Sequence, residues 1–126
     1  MQSDENLPSQ KMINYLLTNG EYDSFILLDK DEIIAQGKNM TEETFDPTNH
    51  SIVNALRNAG NTHQKINFSG MTILTKTKPC SLCISAVSFS SIRKIFYLEE
   101  RTETNSILIA LETGGNVEDF LNIVKF

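Results

Sequence analysis

Cysteine is nearly absent from this chain of 126 residues, and so are proline and histidine: two, three and two of each. The two cysteines, Cys80 and Cys83, lie three positions apart. A bond between them would close too short a loop to staple a domain, so a disulfide scaffold is excluded. The pair is left for metal or redox work in a reducing compartment. No apolar run approaches the ~18 residues that a membrane span requires. Residues Met1 to Ser9 are polar and lack the apolar core of a secretory signal, which leads us to expect a cytoplasmic protein. Positive charge is also scarce: the formal net charge is −5 and the pI about 4.9. An acidic chain is a poor partner for nucleic acid, because phosphate contacts need clustered Lys and Arg. Lys76, Lys78, Arg93 and Lys94 are the candidates for a local basic patch, against the alternative of scattered solvated side chains.

What the chain does have is enough apolar material for one core, with 40% hydrophobic residues. Residues 1–8 read as a flexible leader ending at Pro8, and the remainder as a single domain. Met12, Ile13, Leu16 and Leu17 recur at helical spacing after Ser9, and Gly20 closes that segment. "SFILLDKDEIIAQG" reads as a hairpin turning at Asp29 to Asp31. Residues 38 to 46 are polar and irregular. Asp46 and Pro47 suit the cap and first turn of a helix whose apolar face is Ile52, Val53, Leu56 and Ala59, with Gly60 as its stop. "MTILT" reads as a strand, residues 80 to 90 as a buried helix, and "RKIFYL" as the next strand. Glu103 to Leu111 looks helical, and Val117 to Phe126 fits either a last helix or an edge strand. Strands alternating with helices predict an α/β layered domain, with a parallel crossover from Met71 to Leu98.

The residues with chemistry are His50, Cys80 and Cys83. Zinc takes nitrogen and thiolate ligands in a tetrahedron, and a catalytic site keeps the fourth position open. Cysteines three apart share one side of a first helical turn, where the helix dipole favours thiolate. If the two helices begin at one sheet edge, all three side chains converge. Two other readings of the pair stay open. One is inert buried cysteines. The other is a redox pair, which in thioredoxin-like proteins also needs a cis proline later in the chain, and none of Pro8, Pro47 and Pro79 follows the cysteines. His63 lies in a polar loop and reads as solvated.

"DPTNH" followed by "PCSLC" resembles the cytidine deaminase superfamily, whose pattern is H-x-E and then P-C-x-x-C. The branch it is most similar to is that of bacterial guanine deaminases and tRNA adenosine deaminases, with an Asp-Pro-Thr-Ala-His-Ala-Glu run. "DEIIAQGKN" and "MTILTKTKPCSLCISAVSFSSIRKIFYL" extend the likeness over residues 22 to 98. The resemblance implies a three-layer α/β/α sandwich with a mixed central sheet of about five strands. It also implies a Zn2+ cofactor on His50, Cys80 and Cys83, and Asn39 as a substrate-binding residue. Small members usually form dimers or tetramers, so the resemblance implies a homo-oligomer such as a dimer, or pairing with a catalytic deaminase subunit.

The departure is Ile52, which stands where the family has its proton-shuttling glutamate. An isoleucine transfers no proton, so the resemblance implies a zinc-binding, deaminase-like protein that is catalytically impaired: a pseudoenzyme or a partner subunit. Two alternatives remain. The first is an active zinc-dependent deaminase of a nucleobase or nucleoside (guanine, adenine or cytosine type) with a carboxylate from elsewhere, for which Asp46, Glu42, Glu43, Glu99 and Glu100 are the candidates, each against the alternative of a cap or a solvated surface group. The second is a metal-free domain that binds a small molecule or protein through the same pocket.

Overall fold

A six-stranded sheet with helices on both faces organises the computed structural model, which describes residues 7–100, 106–112 and 120–125. In chain order the elements are α1 (Gln10–Thr18), β1 (Ser24–Leu28), β2 (Glu32–Gly37), α2 (Thr41–Thr44) and α3 (Ser51–His63). Then come β3 (Thr72–Thr75), α4 (Ser81–Phe89), β4 (Lys94–Glu100), β5 (Ser106–Glu112) and β6 (Phe120–Lys125). The strand order is β2-β1-β3-β4-β5-β6. Among the described residues only β3 and β4 pair in parallel, joined through α4 as expected, and the other neighbours are antiparallel. The sheet is therefore mixed, with six strands where about five were expected. All but Leu7 and Pro8 of the expected leader lies outside the described residues.

The period of two along each strand builds the three layers. Ile26, Ile73, Ile95, Tyr97, Ile107 and Ile109 face α3 and α4, packing with Ile52, Ala55, Ala59, Cys83 and Val87. Their neighbours Phe25, Leu27, Leu74, Phe96, Leu98 and Leu108 face the other way, onto Met12, Ile13 and Leu16 of α1. Helix α1 starts as expected, with Ser9 Oγ accepting the Met12 N–H at 3.2 Å.

Four expectations needed correction. The stretch expected to be helical from Glu103 to Leu111 is strand β5 from Ser106 on, residues 103–105 lying outside the described residues. Ile107 to Leu111 is apolar at every position because both faces are covered, and such a run carries no period that separates helix from strand. The tail, open between a helix and an edge strand, is not among the four: it forms the edge strand β6, antiparallel to β5. Asp46 and Pro47 do not open α3: Asp46 Oδ1 accepts the Thr48 N–H at 2.9 Å and its hydroxyl at 2.6 Å in a local turn, and the helix begins at Ser51 with His50 as N-cap. That helix also runs past Gly60 to His63, ending at Gln64 with φ 55°. Finally, α4 is half solvated rather than buried: Cys83 and Val87 face inward, while Leu82 and Phe89 are exposed.

Candidate metal centre

Two helix starts meet at the carboxyl end of β3. The chain leaves β3 at Thr75, passes the buried Pro79, and enters α4 with Cys80 as N-cap in extended conformation (φ −85°, ψ 175°). His50 holds the same position on α3 (φ −67°, ψ 165°). N-caps are usually Ser, Asp, Asn or Thr, whose side chains bond the helix's own N–H groups. Here neither side chain makes a capping hydrogen bond. Both project away from their helices and toward each other.

Gly37 makes that approach possible. A Cβ there would collide with the Ser51 carbonyl and the Ala55 backbone, so only glycine lets β2 lie this close to the first turn of α3.

The donor atoms form a nearly equilateral triangle. Cys80 Sγ is 3.5 Å from His50 Nδ1 and 3.5 Å from Cys83 Sγ, and Cys83 Sγ is 3.6 Å from His50 Nδ1. A tetrahedral ion with Zn–S near 2.3 Å and Zn–N near 2.0 Å sets its donors about 3.5–3.8 Å apart. One nitrogen and two sulfurs at this spacing fit zinc, which His50, Cys80 and Cys83 would hold with three protein ligands. The two thiols differ. Burial raises the Cys80 thiol, but the Cys83 N–H and thiol, His50 and the Leu82 N–H outweigh it, and the net shift is downward. Burial, then the neighbouring Cys80, pushes the Cys83 thiol up to about 11. A divalent cation between them would replace both thiol protons.

A cavity of about 340 Å³ opens onto this triangle. Ile52 forms part of its wall and is 2% exposed, its other side packed in the core. Asn39 lines the cavity too, with Oδ1 accepting the Thr41 N–H at 3.0 Å. Of the candidate carboxylates, Asp46, Glu42, Glu43 and Glu99 do not line it, and the side chain of Glu100 lies outside the described residues. Asp46 instead ties its turn to α3 through Arg57 Nη1 at 2.9 Å. Its carboxyl is lowered to about 2, first by the Thr48 hydroxyl, then by the Thr48 N–H and Arg57. Glu99 lines a neighbouring cavity with Lys76 and Lys78.

Sequence reasoning missed Asp23, Ser51, Ser24 and Thr75. Asp23 lines the cavity beside Lys76, whose Nζ is 3.5 Å from Asp23 Oδ1 and whose N–H bonds the Asp23 carbonyl at 3.0 Å. Only the antiparallel register of β1 on β3, with Ser24 opposite Thr75, brings these residues together, and no short motif encodes it. Lys76 and Lys78 sit past one end of β3, Arg93 and Lys94 at the start of β4, so the four do not make one basic patch. His63 is exposed as expected, but its Nε2 lies 3.2 Å from the Ile34 carbonyl and docks the end of α3 on β2.

Residues 24–99, well over half of the chain, match the cytidine and deoxycytidylate deaminase zinc-binding region. The chain belongs to this family. Within this zinc-binding deaminase family it is similar to the guanine deaminase of Bacillus subtilis, 31% identical over 71 residues that cover 56% of this chain and 46% of that one. It is also similar to a tRNA-specific adenosine deaminase of Haemophilus influenzae, 29% identical over 79 residues, 63% of this chain and 46% of the relative. The chain thus spans about half the length of the curated relatives it matches. Among solved structures, a tRNA A34 deaminase that edits A to I at the wobble position aligns with a TM-score of 0.56 and 27% identity, over 67% of this chain and 65% of the other. The B. subtilis guanine deaminase aligns with a TM-score of 0.55 and 26% identity, over 69% and 57%. The deaminase-family fold therefore carries a His/Cys/Cys group placed to bind a metal.

Proposed function

We propose that this protein is a zinc-holding member of the deaminase family that binds a nucleobase or nucleoside without converting it. His50, Cys80 and Cys83 are its ligands and Asn39 contributes to base or sugar binding. The observation that carries this reading is Ile52, set in the cavity wall two residues after His50 and 2% exposed. Bound at the triangle, zinc would supply a Lewis acid with one open position. Deamination also needs a group that takes a proton from the attacking water and delivers protons to the ring nitrogen and to the departing ammonia. Such transfer is worth about 10² to 10⁴-fold, or ~3–5 kcal/mol of barrier, and an isoleucine contributes none of it. The role that follows is a ligand-binding or partner subunit in the cytoplasm, as a dimer or paired with a glutamate-bearing deaminase. The relatives' names point to guanine- or adenosine-type ligands.

A second reading has one specific support. Asp23 is a carboxylate in the same cavity, and an active deaminase would use it in place of the glutamate. Its ion pair with Lys76 speaks for a structural role. Metal analysis with an ammonia-release assay over guanine, adenine, cytosine and their nucleosides decides between the two. Stoichiometric zinc without ammonia supports the first reading. Ammonia release that disappears in both Cys80→Ala and Asp23→Asn would overturn it in favour of the second.

A further inference from the structure

Behind the metal triangle a line of three hydroxyls joins two residues of the cavity wall, Ser51 and Thr75, through the buried Ser24. Ser51 Oγ is 2.7 Å from Ser24 Oγ, Ser24 Oγ is 2.7 Å from Thr75 Oγ1, and Thr75 Oγ1 is 3.1 Å from the Asp23 carbonyl oxygen. Ser24 is 0% exposed and Thr75 2%, so neither has water to fall back on, and their bonds must be made among themselves. Ser51 is half-buried and lines the cavity.

The direction of every link is fixed. A carbonyl cannot donate, so Thr75 spends its one proton on Asp23. Thr75 must then accept from Ser24, which spends its proton there, and Ser24 must accept from Ser51. Ser51 therefore has no proton left for the cavity and offers only lone pairs. From this polarity we propose that Ser51 is a specificity-determining residue. Its Oγ is an obligate acceptor that selects ligands presenting an N–H donor, and disfavours those that bring an oxo group to the same place. Two oxygens with no proton between them repel, and a ligand carbonyl desolvated there would be left without a partner. The proposal deepens the ligand-binding reading above and rests on it.

Two substitutions elsewhere in the line reprogram Ser51 while leaving its own side chain in place; Ser24 does not line the cavity, whereas Thr75 does, so Ser24→Ala is the cleaner of the two. In Ser24→Ala the Ser51 proton has no assigned acceptor, so the hydroxyl is free to donate or accept. In Thr75→Val the Ser24 proton has only Ser51 to bond, the line reverses, and Ser51 becomes a donor to the cavity. The test titrates zinc-loaded protein with two probe pairs that exchange an exocyclic amino group for an oxo group, adenosine with inosine and cytidine with uridine. In at least one pair the wild type is expected to bind the amino probe about tenfold more tightly. Ser24→Ala is expected to bring that ratio to about 1–3, and Thr75→Val to invert it. A structural role for the hydroxyls would weaken both members of a pair alike. A wild-type ratio near one in both pairs, no binding of any probe, or a ratio unchanged in Ser24→Ala with its thermal unfolding intact would overturn the proposal. If Thr75→Val does not fold, Ser24→Ala alone carries the test. Formation of inosine or uridine during the titration counts against the non-catalytic reading only; the Ser51 inference is then judged on the ratio of binding at zero time.

Discussion

At the scale of single residues, the proposed loss of turnover rests on Ile52. That residue packs in the core on one side and borders the cavity on the other. Ile52→Glu should therefore be tolerated, with the new carboxylate reaching toward the open side, at a cost of about 2 kcal/mol for the lost apolar packing. Zinc content should stay stoichiometric, and ammonia release from a guanine- or adenosine-type substrate should rise at least about tenfold above the parent. A folded, zinc-loaded variant with no gain would show that more than this residue stands between the cavity and turnover. Asp46 supports a prediction in acid. Its carboxyl titrates at about 2 in the folded chain against an ordinary 3.8. A lowered folded pKa contributes stability that is present above the unfolded value and is lost as pH falls through the folded one. Asp46→Asn should thus lower the urea midpoint at pH 5 and narrow the gap to wild type as pH falls from 4 toward 2. A constant gap across that range would rule out the carboxylate as the cause. His50, Cys80 and Cys83 were legible in the sequence because ligand chemistry restricts the residue types. Asp23, Ser24 and Thr75 were not, because a carboxylate and two hydroxyls acquire meaning only through the register that joins them.

At the scale of elements, legibility followed how much of each segment's pattern was local. Helix α1 and the β1–β2 hairpin announce themselves through a cap, a turn and a periodic run, and both appear within a residue or two of expectation. Strand β5 did not, because burial on both faces erases the alternation that identifies a strand. The start of α3 was misplaced for a related reason: Asp46 is a good cap in sequence, but its oxygen is taken by Thr48. The position of α3 depends instead on Gly37, which no periodicity reveals. Gly37→Ala should force β2 and α3 apart, since the obstacle is backbone and not the end of a flexible side chain. We expect a loss of about 3 kcal/mol and weaker metal retention, because His50 rides on the helix that moves. Chemical denaturation and zinc content of the purified variant check both. Unchanged stability would mean that the strand can shift without disturbing the helix start.

At the scale of the whole molecule, the metal triangle joins two units that the chain builds separately. His50 belongs to the helix packed on β2, whereas Cys80 and Cys83 belong to the crossover between β3 and β4. An ion shared among them links the hairpin half of the sheet to the crossover half at one point. Because the unfolded chain does not hold three donors 3.5–3.6 Å apart, metal binding adds to folding stability by mass action. Free zinc in hundredfold excess over its dissociation constant contributes about 2.7 kcal/mol, which corresponds to a melting shift on the order of 10 °C for a domain of this size. Removing zinc with a chelator should lower the melting temperature by that order, and readdition should restore it with release of up to about two thiol protons. Cys80→Ala breaks the triangle while leaving the core-facing Cys83 in place, so its melting temperature should sit near that of the chelated wild type and respond weakly to zinc. If chelation removes stoichiometric zinc and the melting temperature does not move, the ion is not what ties the two helix starts together, and packing of α3 against α4 must hold them on its own.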